Sequence, residues 1–456
     1  MLVTFSDIHL TDETTAVNVN NEAFTKILQK EIESSARNNQ AKEIRIVLNG
    51  DIFDFVRTDY WLKTDKSERP WNGTLDLKTA MNNDSAKMDF HYCNILDLIM
   101  KTKSGKGFCA MLNSLSKKFK NDTPVRITYI TGNHDRILNT SVNLRNKIKE
   151  YLGEYTDSAI DFANEYLNAE DYSVLCRHGH EWDDTNFGIE LYKYINNSGD
   201  YLSRFQRDIY NLQTIGEVIT CELMSGIIYR VKQQTSDSAF VDSLKDLNNV
   251  RPLSDAFLWL YWYGVAISTQ NKKILLSAFR DSMTELVNTG LSKLWDNIKA
   301  EVWLFSGDIT DRFEQMLDLI QDLDFDSINK YVEVFKIFDN IFGTSKDDFV
   351  EGAMKEFKNR YYIEKDIQYI LYGHTHEERH DYFYGNKEGK VKMYINTGTF
   401  LPYIQKTNDK KSFASAYQMT MVFIYRRDED TEDGVPNKFP TMELWNGIKR
   451  KKYPAS

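Results

Sequence analysis

The chain has 456 residues, 41% of them apolar, which is enough for a sizeable core and for two or three domains. Its formal charge of −10 and pI near 5.5 argue against a protein that binds long nucleic acid by neutralising many phosphates. Cys93, Cys109, Cys176 and Cys221 are widely spaced with no CxxC pair, so they indicate neither a disulfide framework nor a thiolate zinc site.

Leu2–Ser6 reads as a strand with no basic and apolar leader before it, so no signal peptide is expected, and reduced cysteines point to the cytoplasm. Asn21–Ala36 carries Phe24, Ile27, Leu28 and Ile32 at helical spacing, and the strand Ile44–Asn49 follows, giving a βαβ opening. Residues 55–123 are longer than a simple connection. They begin with polar and aromatic loop sequence around Tyr60, Trp61 and Trp71, then turn helical near Phe90–Lys101 and Phe108–Lys120.

Val125–Thr131, Tyr172–Arg177 and Ile367–Tyr372 are further apolar strands. Between the last two, residues 186–365 hold one proline, Pro252, and apolar positions at helical spacing such as Phe313, Met316, Leu317, Ile320 and Leu323. This pattern predicts an α-helical insertion of domain size. Its aromatic run Phe257–Tyr263 is too short to span a bilayer. The run reads as a buried helix of the insertion, with an apolar groove as the other reading. Lys392–Asn396, Tyr417–Arg426 and Thr441–Trp445 read as antiparallel strands completing a second sheet.

Six of the eight histidines fall in four short motifs: Asp7-Ile8-His9, Gly132-Asn133-His134-Asp135, His178-Gly179-His180 and Gly373-His374-Thr375-His376. A fifth motif, Gly50-Asp51, supplies a carboxylate. Each motif comes directly after a strand, where a rigid sheet can hold a metal site. Asp7 and His9, two apart, can reach one cation. Gly50 permits a tight exit that leaves Asp51 at the sheet edge, with helix capping as its ordinary alternative. The amide oxygen of Asn133 can ligate while His134 points elsewhere; an Asx turn is the alternative. Imidazole, carboxylate and amide oxygen without thiolate suit Mn²⁺, Fe or Zn²⁺.

In this order the motifs resemble those of the calcineurin-like metallophosphoesterase superfamily, over roughly residues 1–185 and 366–445 of a core expected to take in 1–185 and 366–456. The resemblance implies an α/β fold: a four-layer α-β-β-α sandwich of two mixed sheets, interrupted by the helical insertion or cap at 186–365, with 55–123 on the substrate side. It also implies a two-metal centre, most readily Mn²⁺, with Fe or Zn²⁺ as alternatives. Asp7, His9 and His376 would hold the first cation and Asp51 would bridge. Asn133, His178 and His374 would hold the second. The fourth motif departs from the family's usual His-Gly-Asp or Gly-His. His178 is favoured because it directly ends its strand, which leaves His180 to support a ligand or face substrate.

The implied reaction is hydrolysis of a phosphate ester by in-line attack of a hydroxide shared by two cations about 3.5–4 Å apart. His134, free of metal, is expected to act as general acid or to stabilise developing charge, a role worth roughly 10²–10⁴ in rate, and Asp135 to orient it. Asp54 is expected to support a ligating histidine. Arg136, Trp61 and Trp71 are candidate substrate contacts. His91 is expected to be packed and His380 exposed, while Asp183 and Asp184 either line the pocket or sit in a solvated loop. A phosphodiesterase or pyrophosphatase acting on a nucleotide or lipid-linked substrate is the alternative. A non-catalytic scaffold protein of the same fold is the reading from another class. Neither a transmembrane segment nor long nucleic acid is expected.

Overall fold

The computed structural model describes residues 1–72, 85–153, 155, 159–196, 204–300, 315, 316, 318–321, 323–325, 328–342, 345–409 and 411–450. It is an α/β structure with two mixed sheets. β1 (Leu2–Phe5), β2 (Ile44–Asn49), β3 (Val125–Ile130) and β4 (Ile160–Ala163) run parallel, with Val3 opposite Ile46 and Ile46 opposite Ile127. On the far side of β1 the sheet turns antiparallel through β11 (Phe413–Tyr425), which pairs with both β10 (Pro402–Lys406) and β12 (Thr441–Arg450).

The second sheet has the order β5 (Tyr166–Asn168), β6 (Val174–Cys176), β7 (Tyr369–Tyr372), β9 (Val391–Thr397), β8 (Glu378–Gly385). β6, β7 and β9 are parallel. This corrects the expectation for the tail. Of its three predicted strands only β9 enters the second sheet, whereas β11 pairs antiparallel with β1 and β12 with β11, so both extend the first.

Period-two alternation explains how the sheets meet. Along β11, Val422 and Ile424 join Leu2, Val47 and Ile130 in one buried cluster with Val174, Leu371 and Ile395 of the second sheet. The intervening residues Met421, Phe423 and Tyr425 join Val3, Ile46 and Tyr129 on the other face, against the helices. Those helices include Gln29–Asn38 and Lys103–Phe119. The outer face of the second sheet packs Leu175, Ile370, Tyr372 and Tyr394 against Phe349, Ala353 and Phe357 of the helix Lys346–Lys358.

Helices and short turns make up the described chain between β6 and β7, apart from a single bridge of Val250 to Ile404. The aromatic run lies in helix Ala256–Ala266 and buries Phe257, Trp259 and Leu260, so it packs as core. No helix of the described residues is long and apolar enough to cross a membrane. Sequence reading missed β4, β5, β8 and β10. The first two are short, and β8 is an edge strand whose sequence, Glu378-Arg379-His380-Asp381, is mostly polar.

Candidate metal centre

The parallel strands of both sheets end at one rim, and the five motifs leave from those ends. Asp7, His9, Asp51, His374 and His376 all have positive φ, between 47° and 69°. Such backbone is costly for residues with a Cβ and persists only where surrounding contacts hold it, as at ligand sites. The loops also interlock. A Cβ on Gly50 would collide with the His178 ring, and one on Gly132 with the Asp51 carboxylate.

Two sets of donor atoms result. In the first, Asp7 Oδ1 lies 3.6 Å from His9 Nε2 and 3.5 Å from His376 Nε2, and the two imidazole nitrogens are 2.9 Å apart. In the second, His178 Nε2 lies 3.2 Å from Asp51 Oδ2 and 3.3 Å from Asn133 Oδ1, which is itself 3.0 Å from His374 Nδ1. Asp51 joins the sets, since its Oδ2 is also 3.7 Å from His9 Nε2. All seven predicted ligands therefore come together.

These spacings fit cations. Donors about 2.1 Å from one ion stand roughly 3.0 Å apart at right angles and roughly 3.4 Å apart at tetrahedral angles. Asp7 Oδ1 is buried without a hydrogen-bond partner, and it is the atom turned toward both imidazoles of the first set. Its other oxygen is occupied by the His374 backbone N–H at 2.9 Å and by the Ser6 hydroxyl.

The ring nitrogens away from the centre select the tautomers. His178 Nδ1 donates to the Asn49 carbonyl at 2.8 Å, His9 Nδ1 to Asp54 at 2.9 Å and His374 Nε2 to Asp183 at 3.0 Å. Each leaves a lone pair on the nitrogen facing the centre, the arrangement a metal-binding histidine needs. Asn186 completes this outer ring: its amide donates to Asp183 at 2.8 Å, and its oxygen accepts from Asn133 at 3.3 Å.

The electrostatics of the two sets differ. Burial disfavours a charged His178, yet the carboxylates of Asp51 and Asp7 raise it to about 10. At the first set, burial together with Arg251 and His9 holds His376 well below the ordinary imidazole range. Against the pull of burial, His178, His134 and His9 hold Asp51 well below the usual carboxylate range.

His134 stays outside both sets and lines the adjoining cavity of about 180 Å³. Its Nδ1 is 3.0 Å from Asp54 and its backbone N–H donates to Asp51 at 2.8 Å. Burial opposes its charging, but Asp54 and Asp51 raise it above the ordinary imidazole value. Here the expected partner is corrected. Asp135 accepts from the Gly132 and Ile52 backbone and from Tyr129, at 2.6, 3.1 and 2.6 Å, so it shapes the loop and leaves the orienting of His134 to Asp54. Burial, then Asp51, push Asp135 up to about 7. His9, Asp54 and His134 are close enough to form a third potential donor set. Because Asp54 meets both rings through Nδ1, it is read as their shared support.

His180 is buried against Phe187 and Tyr210, in neither donor set, and burial holds it down to about 4. Three substrate-contact expectations are overturned. Arg136 is spent on Glu217, at 3.1 Å through Nη2, and on the Asn211 carbonyl at 2.7 Å. Trp61 and Trp71 are each 1% exposed and donate their indole N–H to Phe55 O at 2.9 Å and Glu222 at 2.6 Å. Their polar sequence neighbours concealed this burial. His91 is packed, with Tyr60 at 3.0 Å, while His380 is half exposed on β8. Asp184 pairs with Arg204 at 2.9 Å, away from the centre that Asp183 joins.

Arg57 and Arg251 also line the cavity, and the sequence carried no signal for either beyond the position of Arg57 six residues after Asp51. Burial and the neighbouring Arg57 bring Arg251 down to about 9. No protein-family model matches the chain, and a search of curated proteins finds no match.

Proposed function

We propose that this chain is a metal-dependent phosphoesterase related to the calcineurin-like metallophosphoesterases. The observation that carries the proposal is the pair of donor sets on one rim joined by a single carboxylate, Asp51, beside a cavity lined by His134. Asp7, His9 and His376 would hold one cation, Asn133, His178 and His374 the other, and Asp51 both. Oxygen and imidazole donors without thiolate favour Mn²⁺, with Fe or Zn²⁺ next. A pair of such cations, when bound, supplies an activated water and a clamp for phosphoryl oxygens.

The protein's own groups do the rest. Nδ1 of His134 stands 3.0 Å from Asp54, whose charge favours the imidazolium, and in that form Nε2 carries the proton that the leaving oxygen needs. Its backbone N–H, bonded to Asp51, ties the acid to the carboxylate joining the two sets. The fold reading accompanies this one. Helix, sheet, sheet and helix in succession support a four-layer sandwich, with 186–365 as a helical insertion covering the cavity through residues such as Ile219, Met224 and Phe338. Four unpaired thiols suit the cytoplasm.

The test is metal analysis together with turnover of p-nitrophenyl phosphate and bis-p-nitrophenyl phosphate after loading with Mn²⁺. Bound metal with hydrolysis of at least one substrate is expected. Metal bound at both positions without turnover of either would refute the enzyme and leave a metal-binding scaffold.

A further inference from the structure

A second cavity, of about 510 Å³, lies at the end of β4 and shares no lining residue with the cavity at the metal centre. Its size falls within the roughly 300–1,000 Å³ of small-molecule pockets. The charges around it are unbalanced. Three arginines and one carboxylate line it, in a chain whose net charge is −10. The carboxylate, Glu165, pairs with Arg177, which also donates to Glu356 at 3.1 Å and to Tyr362 at 2.8 Å. Arg177 is therefore satisfied, and the other two arginines are not. Arg145 donates Nη1 to the carbonyls of Leu138 and Asn139, at 3.0 and 3.4 Å, and has no carboxylate partner among the described residues. The guanidinium of Arg207 has neither an ion pair nor a hydrogen bond among them.

Fixed elements hold these like charges together. Arg145 stands on the helix Val142–Tyr151, and Arg207 opens the turn Arg207–Asn211. That turn is tied to the turn Arg136–Asn139: Asn139 Nδ2 donates to the Tyr210 carbonyl at 3.2 Å, and Arg136 Nη1 to the Asn211 carbonyl at 2.7 Å. Burial, and then the charge of Arg207, bring Arg145 below the ordinary guanidinium value. Two cations facing one concavity repel each other until an anion lies between them, and guanidinium forks match the spacing of phosphate oxygens. An independent observation concerns Asn164, which follows β4 and also lines the cavity. Its Oδ1 is buried with no hydrogen-bond donor among the described residues. A buried acceptor left unpaired is costly, and it calls for a ligand that carries a hydroxyl or N–H. Phe162, Phe205 and Tyr210 add aromatic wall.

We infer that this cavity is a second binding site, for a phosphate monoester on a hydroxylated ring compound, a sugar phosphate or a nucleoside monophosphate. Arg145 and Arg207 hold the phosphate, Asn164 accepts from a ligand hydroxyl or N–H, and the aromatic wall packs against the ring. None of the seven metal donors lines this cavity, so the molecule it holds is distinct from the one hydrolysed at the metal centre. The inference does not depend on the phosphoesterase reading.

The probes are analogues of AMP and of ribose 5-phosphate in which methylene replaces the ester oxygen, so that neither can be hydrolysed. Equilibrium dialysis counts the equivalents bound by the full chain, loaded with Mn²⁺ or treated with chelator, and by its Arg207→Glu and Arg145→Gln variants. Arg145→Lys keeps the charge and serves if the glutamine variant does not fold. The Mn²⁺-loaded wild type should bind two equivalents of at least one analogue, one of them at the metal centre, and the chelated wild type should bind one. In the arginine variants the equivalent that needs no metal should weaken tenfold or more, the loss of a charge-assisted hydrogen bond, while the other is kept. Tighter binding of the AMP analogue would identify a nucleotide as the ligand, and equal binding of the two a sugar phosphate. The site is overturned if the chelated wild type binds neither analogue, if both arginine variants keep the affinity within threefold, or if adenosine, which has no phosphate, binds as tightly as the AMP analogue. If Mn²⁺ adds no second equivalent while the arginine-dependent one stands, it is the metal-centre reading that has failed.

Discussion

Asp54→Asn removes one charge from the point where three side chains of the centre meet. Oδ2 of Asp54 stands 2.9 Å from His9 Nδ1, 3.0 Å from His134 Nδ1 and 3.4 Å from Arg57 Nε, in a fully buried position. Asparagine keeps the volume. At an effective dielectric near 20, a unit pair 3.0 Å apart interacts by about 5.5 kcal/mol before desolvation is counted, and the net worth of the charged hydrogen bond to His9 is about 1.5–3 kcal/mol. Two consequences follow from the two imidazoles. His9 loses the partner that fixes its tautomer, which should lower metal affinity roughly 10–100-fold. His134 loses the anion that raises its proton affinity, so kcat/KM at saturating Mn²⁺ should fall about 10²–10³-fold. The sign of the pH effect is set by the same charge. Burial lowers His134 and Asp54 raises it. Without Asp54 the acid form is lost at lower pH, so the alkaline limb of the rate profile should move toward acid. The assay is a Mn²⁺ titration of p-nitrophenyl phosphate hydrolysis across pH, with metal content measured in parallel. A metal-loaded variant with kcat/KM within threefold of wild type and an unmoved alkaline limb would refute the assignment of Asp54.

His134→Ala should keep both metals and lose about 10²–10⁴ in kcat; loss of a metal ion would make His134 a ligand together with His9 and Asp54. His178→Ala should lose metal from the second set, whereas His180→Ala should retain it, and normal occupancy in the first variant would reverse the choice between them. Trp71→Phe leaves Glu222 without its indole donor while Arg69 still holds it at 2.8 Å. It should cost about 1–3 kcal/mol in urea unfolding and leave kcat within threefold. A selective loss of activity without destabilisation would restore Trp71 as a substrate contact.

The donor atoms were legible in the sequence because the chemistry of holding a cation is local in one respect. A ligand must leave a rigid strand through a tight turn, so Asp7, Asp51, Asn133, His178 and His374 each follow an apolar run by no more than three residues. The apolar alternation that buries both faces of the first sheet was likewise written into the strands. What the sequence could not order was the contacts made between motifs. Asp135 is the immediate neighbour of His134, yet Asp54, eighty residues earlier, takes the ring, because the turn after β3 points Asp135 back at Gly132 and Tyr129.

The same limit explains the tryptophans and the arginines. Trp61 and Trp71 look solvated beside Lys, Asp and Glu, but their partners Phe55 and Glu222 are supplied by packing that no spacing encodes. Arg251 sits in a bend between two short turns, far in sequence from any motif, and the bridge of Val250 to Ile404 together with its own N–H bond to Ile404 O sets it beside the cavity. By itself the sequence determined which atoms could bind metal and that strands would present them, since both depend on residues adjacent in the chain. Only the tertiary structure decided which carboxylate serves which imidazole and which cations face the cavity, because burial and hydrogen-bond geometry arise where distant loops converge.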